Sequence, residues 1–228
     1  TGLLSSLPYD YLIKVFGATH LTQSVTDSVP LPKCDGPAGV FLLHRVLRLN
    51  CLTQAFSELW AELFDDEWCK DSFVAGLGMS ELARVSRVWS PEIPLRHDLD
   101  RWMALCEVDA IVAIVVGLTK QQLIQMYRTQ FAVLQKYERV TVFDSNGRQV
   151  SGDYHNYGFK QAKWEVANKE VTLKRGEKHM VMWERVQRYM AGETDIDLGP
   201  FEPPFTPADR EAAMSRAYKA FEQRLADA

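Results

Sequence analysis

The sequence predicts a mainly α fold of the α+β class: long antiparallel helices forming a helical body, with a small β-hairpin and an irregular N-terminal segment. Three observations carry this expectation. Apolar residues recur at helical spacing over 38–64, and a second, more apolar helical stretch follows over 95–117. The clearest alternating stretch, "RVTVFDSNGRQV", turns at Asn146-Gly147, the strongest short-range hairpin signal. With 228 residues and 46% hydrophobic content the chain can bury a core without staples.

Each element has a local reason. Ser5 and Ser6 before Leu7-Pro8 form a helix start, because a serine oxygen accepts orphan amides and proline tolerates the first turn. That helix runs to about Phe16 and ends at Gly17, and Pro30, Pro32 and Pro37 keep the next segment irregular. From Ala38 to Phe64 the residues Leu42, Val46, Leu49, Phe56, Trp60 and Leu63 alternate in steps of four and three, with Thr53 in the gap. They predict one helix about 40 Å long. Its partner, Leu95 to Gly117, carries Leu99, Trp102, Met103 and Cys106, and Glu107 and Asp109 are read as its exposed edge. Thr119 with Gln122 is a capping box for a helix to about Gln130. The hairpin lies near 139–151, and helical patterns return at 160–170 and 177–190. "DIDLGPFEPPFTP" reads as a linker, after which Thr206 and Pro207 start a final charged helix.

Charge is unevenly distributed. The net charge is −4, yet residues 119–190 hold 13 Lys+Arg against 7 Asp+Glu, while the flanks are acidic. Such a division can set up a local positive field in an acidic protein. Ten of the 25 aromatic residues lie in the same basic stretch. Cys34, Cys51, Cys69 and Cys106 match no CxxC or zinc-ligand spacing and are read as isolated buried thiols of a reducing cytoplasm. The longest apolar run, Ala110 to Val116, is too short to cross a bilayer, so a soluble cytoplasmic protein without a membrane partner is expected. Because Thr1 opens the chain, a piece of a longer polypeptide is expected too.

Catalytic patterns are missing from the sequence. Phosphate-cradling glycine loops, a GxSxG elbow, HExxH and a calcium loop do not occur, "GLGMSELAR" reads as a turn, and the acids of "FDDEW" read as solvent-facing. The five histidines are scattered, and His44 reads as a packed or exposed side chain rather than a ligand. "EPPF" at Glu202 to Phe205 approximates the Asn-Pro-Pro-Tyr loop of amino-methyltransferases. It lacks the preceding strand and cofactor loop of such a site, and so reads as a linker. No catalytic residue and no metal ligand is assigned.

Several blocks in order, "SSLPYDYLIKVFGATHLTQSVTDSVPLP", "RVLRLNCLTQAFSELWAELFDDEW", "DLDRWMALCEVDAIVAIVVGLTKQQL" and "YRTQFAVLQKYERVTVFDSNGRQV", resemble the C-terminal region of large adenine-specific DNA methyltransferases of type IIG restriction–modification and related phage-defence systems. The resemblance covers most of the chain and weakens near 165–180. It implies that residues 1–37 end a target-recognition segment, 38–195 form a helical body, and 196–228 are a linker and C-terminal helix. It also implies that catalysis belongs to an upstream core of the same polypeptide, where S-adenosylmethionine would bind, with no cofactor in this chain. Double-stranded DNA is the implied partner. On that footing Thr19, His20, Thr22 and Gln23 face DNA, since hydroxyl and amide groups suit phosphates and base edges. Lys136, Arg139, Arg148, Lys160, Lys163, Lys174 and Arg175 are the expected phosphate contacts. The alternative role is a structural brace for the core or a partner subunit that never touches DNA.

Overall fold

The computed structural model describes residues 2–17, 22–34, 36–74, 78–152 and 181–227. The fold is mainly α with a small antiparallel sheet, as the hydrophobic periodicity predicts. The order is α1 (Leu7–Val15), α2 (Gln23–Ser28), α3 (Pro37–Asn50), α4 (Ser57–Leu63), α5 (Asp98–Val115), α6 (Lys120–Gln130), α7 (Ala132–Glu138), β1 (Thr141–Phe143), β2 (Gln149–Ser151), α8 (Val181–Met190), β3 (Thr206–Pro207) and α9 (Arg210–Ala226). The expected helices near 160–170 and before 181 fall outside the described residues. Among the described residues, no helix is long and apolar enough to cross a membrane.

The chain divides into two compact units that interleave in sequence. The first comprises Thr1–Arg96, Asp100–Ala132 and Arg210–Ala228, and the second comprises His97–Leu99 and Val133–Asp209. In the first unit α9 and α1 pack on α6, and a core cluster gathers Leu47, Cys51, Trp60, Phe64, Trp68 and Ile93. The Trp60, Phe64 and Trp68 rings meet at tilted or edge-on angles, an arrangement aromatic quadrupoles favour. In the second unit the strand order is β2-β1-β3, with Val142 opposite Val150 and Phe143 opposite Thr206. Val142, Val150, Trp183 and Val186 form its core.

The predicted 27-residue helix is two helices. Cys51 leaves the helical region at φ −78, ψ 61, and a 3₁₀ turn at Gln54–Phe56 precedes α4. The cause is tertiary. Carbonyls needed to continue α3 are taken by distant donors: Leu95 N–H bonds Arg48 O, Arg101 bonds Leu49 O, the Trp89 indole bonds Cys51 O and Arg96 bonds Leu52 O. An apolar stripe read through this break assigned Phe56 to the core, where it is instead 40% exposed.

Other expectations meet mixed outcomes with clear reasons. The Thr119–Gln122 capping box forms reciprocally, Gly117 ends α5 at φ 75, and Gly147 turns the hairpin at φ 70. Ser6 precedes α1, but its hydroxyl donates to Leu3 O instead of accepting, and the Leu7 amide goes to Asp109. Thr206 and Pro207 do not start the last helix. They pair with β1 as an edge strand, where proline is tolerated, and the helix begins at Arg210. The four cysteines are free, with Cys51 and Cys106 buried as expected, Cys34 half-buried and Cys69 exposed.

Candidate functional site

The residues expected to meet DNA fall into three groups. Thr19, His20, Lys160, Lys163, Lys174 and Arg175 lie outside the described residues. Thr22 and Gln23 open α2 in the first unit: the Thr22 hydroxyl caps the helix by accepting from Val25 N–H at 3.4 Å, and the Gln23 amide donates to Asp27 at 2.8 Å. Both side chains are exposed, and these bonds are local to the loop.

In the second unit Lys136, in the last turn of α7, and Arg139, the residue after its end, are exposed, and neither forms an ion pair with a described residue. Arg148 differs from them. Its Nε donates to the buried Asp144 at 2.8 Å, and its guanidinium sits over the Phe201 ring at 5.5 Å. Asp144 also accepts from the amides of Asn146, Arg148 and Glu202, so Arg148 closes the hairpin turn onto its own carboxylate.

The densest polar chemistry is in the core of the first unit. His44 and Arg45 on α3 converge on Asp71, which follows the 3₁₀ turn Asp66–Lys70. His44 Nδ1 lies 2.8 Å from Asp71 Oδ2, and Arg45 Nη1 donates to the same oxygen at 2.7 Å. Arg45 Nε reaches across to Glu107 on α5 at 2.5 Å, and the other Glu107 oxygen accepts Val74 N–H. Arg224, near the end of α9, donates to Asp71 Oδ1 at 3.3 Å and to the Ser72 carbonyl and hydroxyl. Arg48 binds no carboxylate directly, donating instead to the carbonyls of Ile93, Glu81 and Leu82. Asp100 holds the amides of Met79 and Ser80. Asp109 holds Leu7 N–H with one oxygen and Arg210 with the other, joining the N-terminal segment to the last helix.

Glu107 and Asp109 are therefore buried, each only 3% exposed, and not the solvent edge their helical spacing suggested. An i,i+2 pair does point apart on a helix, but α5 is enclosed on both of those sides and each carboxylate meets a cation there. Burial of an ion is tolerable only with such partners.

The environment sets the protonation states. Burial pushes the His44 imidazole down to about 4, against the opposing pull of its Asp71 bond. Burial would raise the Asp71 carboxyl, but the His44 bond and the Arg45 guanidinium hold it far below the ordinary carboxylate range. Burial alone would lower Arg45, and Glu107 and Asp71 more than offset it, so the guanidinium stays charged. Arg48, with no direct carboxylate partner, is pushed down by burial to about 10. His44 is thus neutral at pH 7, stacked on Trp68 at 4.9 Å and 3°, and its Nε2 has no hydrogen-bond partner among the described residues.

A cleft of about 790 Å³ lies above this cluster, lined by Pro37, Val40, Phe41, Lys70, Asp71, Ser72 and Arg224 among others. Its size suits a small molecule. Both Asp71 oxygens beneath it are already occupied, however, and His44 is fully enclosed. His44 and Asp71 are therefore committed to internal bonds and are not presented to the cleft as a free acid–base pair. Among the described residues no three His, Cys, Asp or Glu side chains are placed to hold a metal ion.

The cluster escaped the sequence reading. The only signal was Arg45 and Arg48 lying among the apolar residues of "HRVLRLN", where a solvent-facing charge should not recur at i,i+3. Comparison of the chain with family models, with curated proteins and with solved structures gives no match.

Proposed function

We propose that this chain is a non-catalytic C-terminal part of an adenine-specific DNA methyltransferase of the type IIG restriction–modification kind. In this reading it contributes DNA contact and target specificity to a catalytic core located upstream, which would bind S-adenosylmethionine. The ordered sequence blocks support the family reading. The observation that carries DNA contact is the difference in how cations are used. Arg45, Arg48 and Arg210 are consumed internally, whereas Lys136 and Arg139 stand exposed and unpaired by any described residue. Exposed cations close together in the chain and not paired internally are what phosphate contact requires.

One observation favours the second reading, a brace that does not touch DNA. Arg148 is tied to Asp144, so one of the three described candidate phosphate contacts is already engaged. A salt titration of duplex binding by the full chain separates the two. Each phosphate contact adds about 0.9 to the slope of log affinity against log salt. Lys136→Ala with Arg139→Ala should reduce that slope by roughly 2. Binding that is absent, or a slope the double variant leaves unchanged, assigns the chain to the brace.

A further inference from the structure

We propose that His44 makes the seat of the last helix acid-labile: proton uptake by its buried imidazole releases Arg224 and the end of α9 from Asp71, loosening the 66–74 segment with it. The argument is geometric. Asp71 is the hub on which α3, the 3₁₀ segment and α9 meet, through His44 and Arg45, Ser72 N–H, and Arg224 respectively. The His44 side chain is fully buried, one ring face lies flat on Trp68, and Nε2 has no acceptor among the described residues. A second proton would therefore place a buried N–H without a partner. It would also add a cation beside Arg45 and Arg48, which already act on this imidazole.

The groups facing His44 from the elements packed around it cannot absorb that change. From α3 come Arg45 and Arg48, both cationic. From the residue after the 3₁₀ turn comes Asp71, already shared among His44, Arg45, the Ser72 amide and Arg224 and charged throughout the range considered. From α5, Glu107 is engaged by Arg45 and Val74, and Asp100 by the Met79 and Ser80 amides. From α9 comes Arg224. Of the cluster's side chains Arg224 is the one with substantial water contact, at 29% exposure, and its 3.3 Å bond to Asp71 is long for a charged pair. Solvation of an imidazolium thus proceeds most easily through loss of this contact, with water entering from the cleft that Arg224, Asp71 and Ser72 line.

Linkage fixes the sign and size. His44 in the closed seat takes up its proton near pH 4, whereas a solvated histidine does so near 6.5. The open seat binds more protons between these values, so the closed seat is secure above 6.5 and loses ground as pH falls toward 4. One proton linked to opening changes the opening constant tenfold per pH unit.

Hydrogen exchange on the full chain, corrected for the intrinsic pH dependence of amide exchange, tests this. Protection at Ser72, Val74 and the last turn of α9 should fall about tenfold per unit between pH 6.5 and 4.5. The hairpin amides of the second unit should not follow it. In His44→Asn, whose amide can still donate to Asp71 but takes up no proton, the profile should be flat. If that variant fails to fold, nitrogen NMR of the wild-type imidazole decides: His44 should remain neutral at pH 6 while the seat is closed. A flat wild-type profile, a slope retained in His44→Asn, or an imidazolium at pH 6 in the closed state overturns the proposal.

Discussion

The first compact unit encloses three of its cations, Arg45, Arg48 and Arg210, and uses them to hold segments together, whereas none of the described cations of the second is buried. Arg45 is completely enclosed and carries two carboxylates, while Lys136 and Arg139 carry none among the described residues. The same residue class thus does opposite work in the two places. What decides is whether a carboxylate stands within reach in the folded chain, not the local density of Lys and Arg in the sequence. Buried ions demand partners that distant segments supply, and exposed ions leave their charge available to other molecules.

The sharpest way to break the contrast is Arg45→Ala. It leaves Asp71 and Glu107 without their shared cation and removes the guanidinium that lies over the Phe221 ring. Removing one partner of such a buried set costs about 3–5 kcal/mol. Urea unfolding of the variant should show a loss of this size. A loss under about 1 kcal/mol, the range of exposed pairs, would mean that the cluster is structurally idle.

The same contrast explains what was legible in the sequence. Local chemistry was readable: the Thr119–Gln122 capping box, the Gly117 stop and the Asn146-Gly147 turn form where the sequence places them, because each depends on residues within a few positions. Nonlocal chemistry was not. The break at Cys51 depends on carbonyls captured by residues 38 to 52 positions away, and the third strand at Thr206–Pro207 needs β1 to exist first. The charged cluster joins α3, the segment after Trp68, α5 and α9, so no window of the sequence contains it. For the candidate DNA contacts, residue type and charge density pointed to the stretch, but pairing separates Arg148 from Lys136 and Arg139. The hairpin turn brings Asp144, four residues away, against the first, a local pairing the charge count passed over.

Changes confined to those local signals should have middling effects. Gly147→Ala places a side chain at φ 70 in the hairpin turn, which costs roughly 1–2 kcal/mol. Thr119→Ala removes the α6 cap and with it one side of the box, at about 1 kcal/mol. Thermal melts should rank both below Arg45→Ala. A Thr119→Ala loss equal to that of Arg45→Ala would show that α6, on which α1 and α9 pack, is as critical as the buried cluster.

The smallest effects on stability should come from the exposed cations, and there the two surface types can be told apart. Arg148→Ala removes a pair whose arginine is 41% exposed, and Asp144 keeps three backbone amides as donors. Solvent screening therefore limits the loss to about 0–1 kcal/mol. Lys136→Ala and Arg139→Ala remove no internal partner, and each should change stability by less than about 0.5 kcal/mol. Their effect belongs in duplex affinity at low salt, where Arg148→Ala, already compensated by Asp144, should alter binding less than either. Denaturation and binding curves on the three single variants check this together. If Arg148→Ala weakened binding as much as Lys136→Ala, the Asp144 pair would have to open on the duplex, and internal pairing would no longer distinguish structural cations from contacting ones.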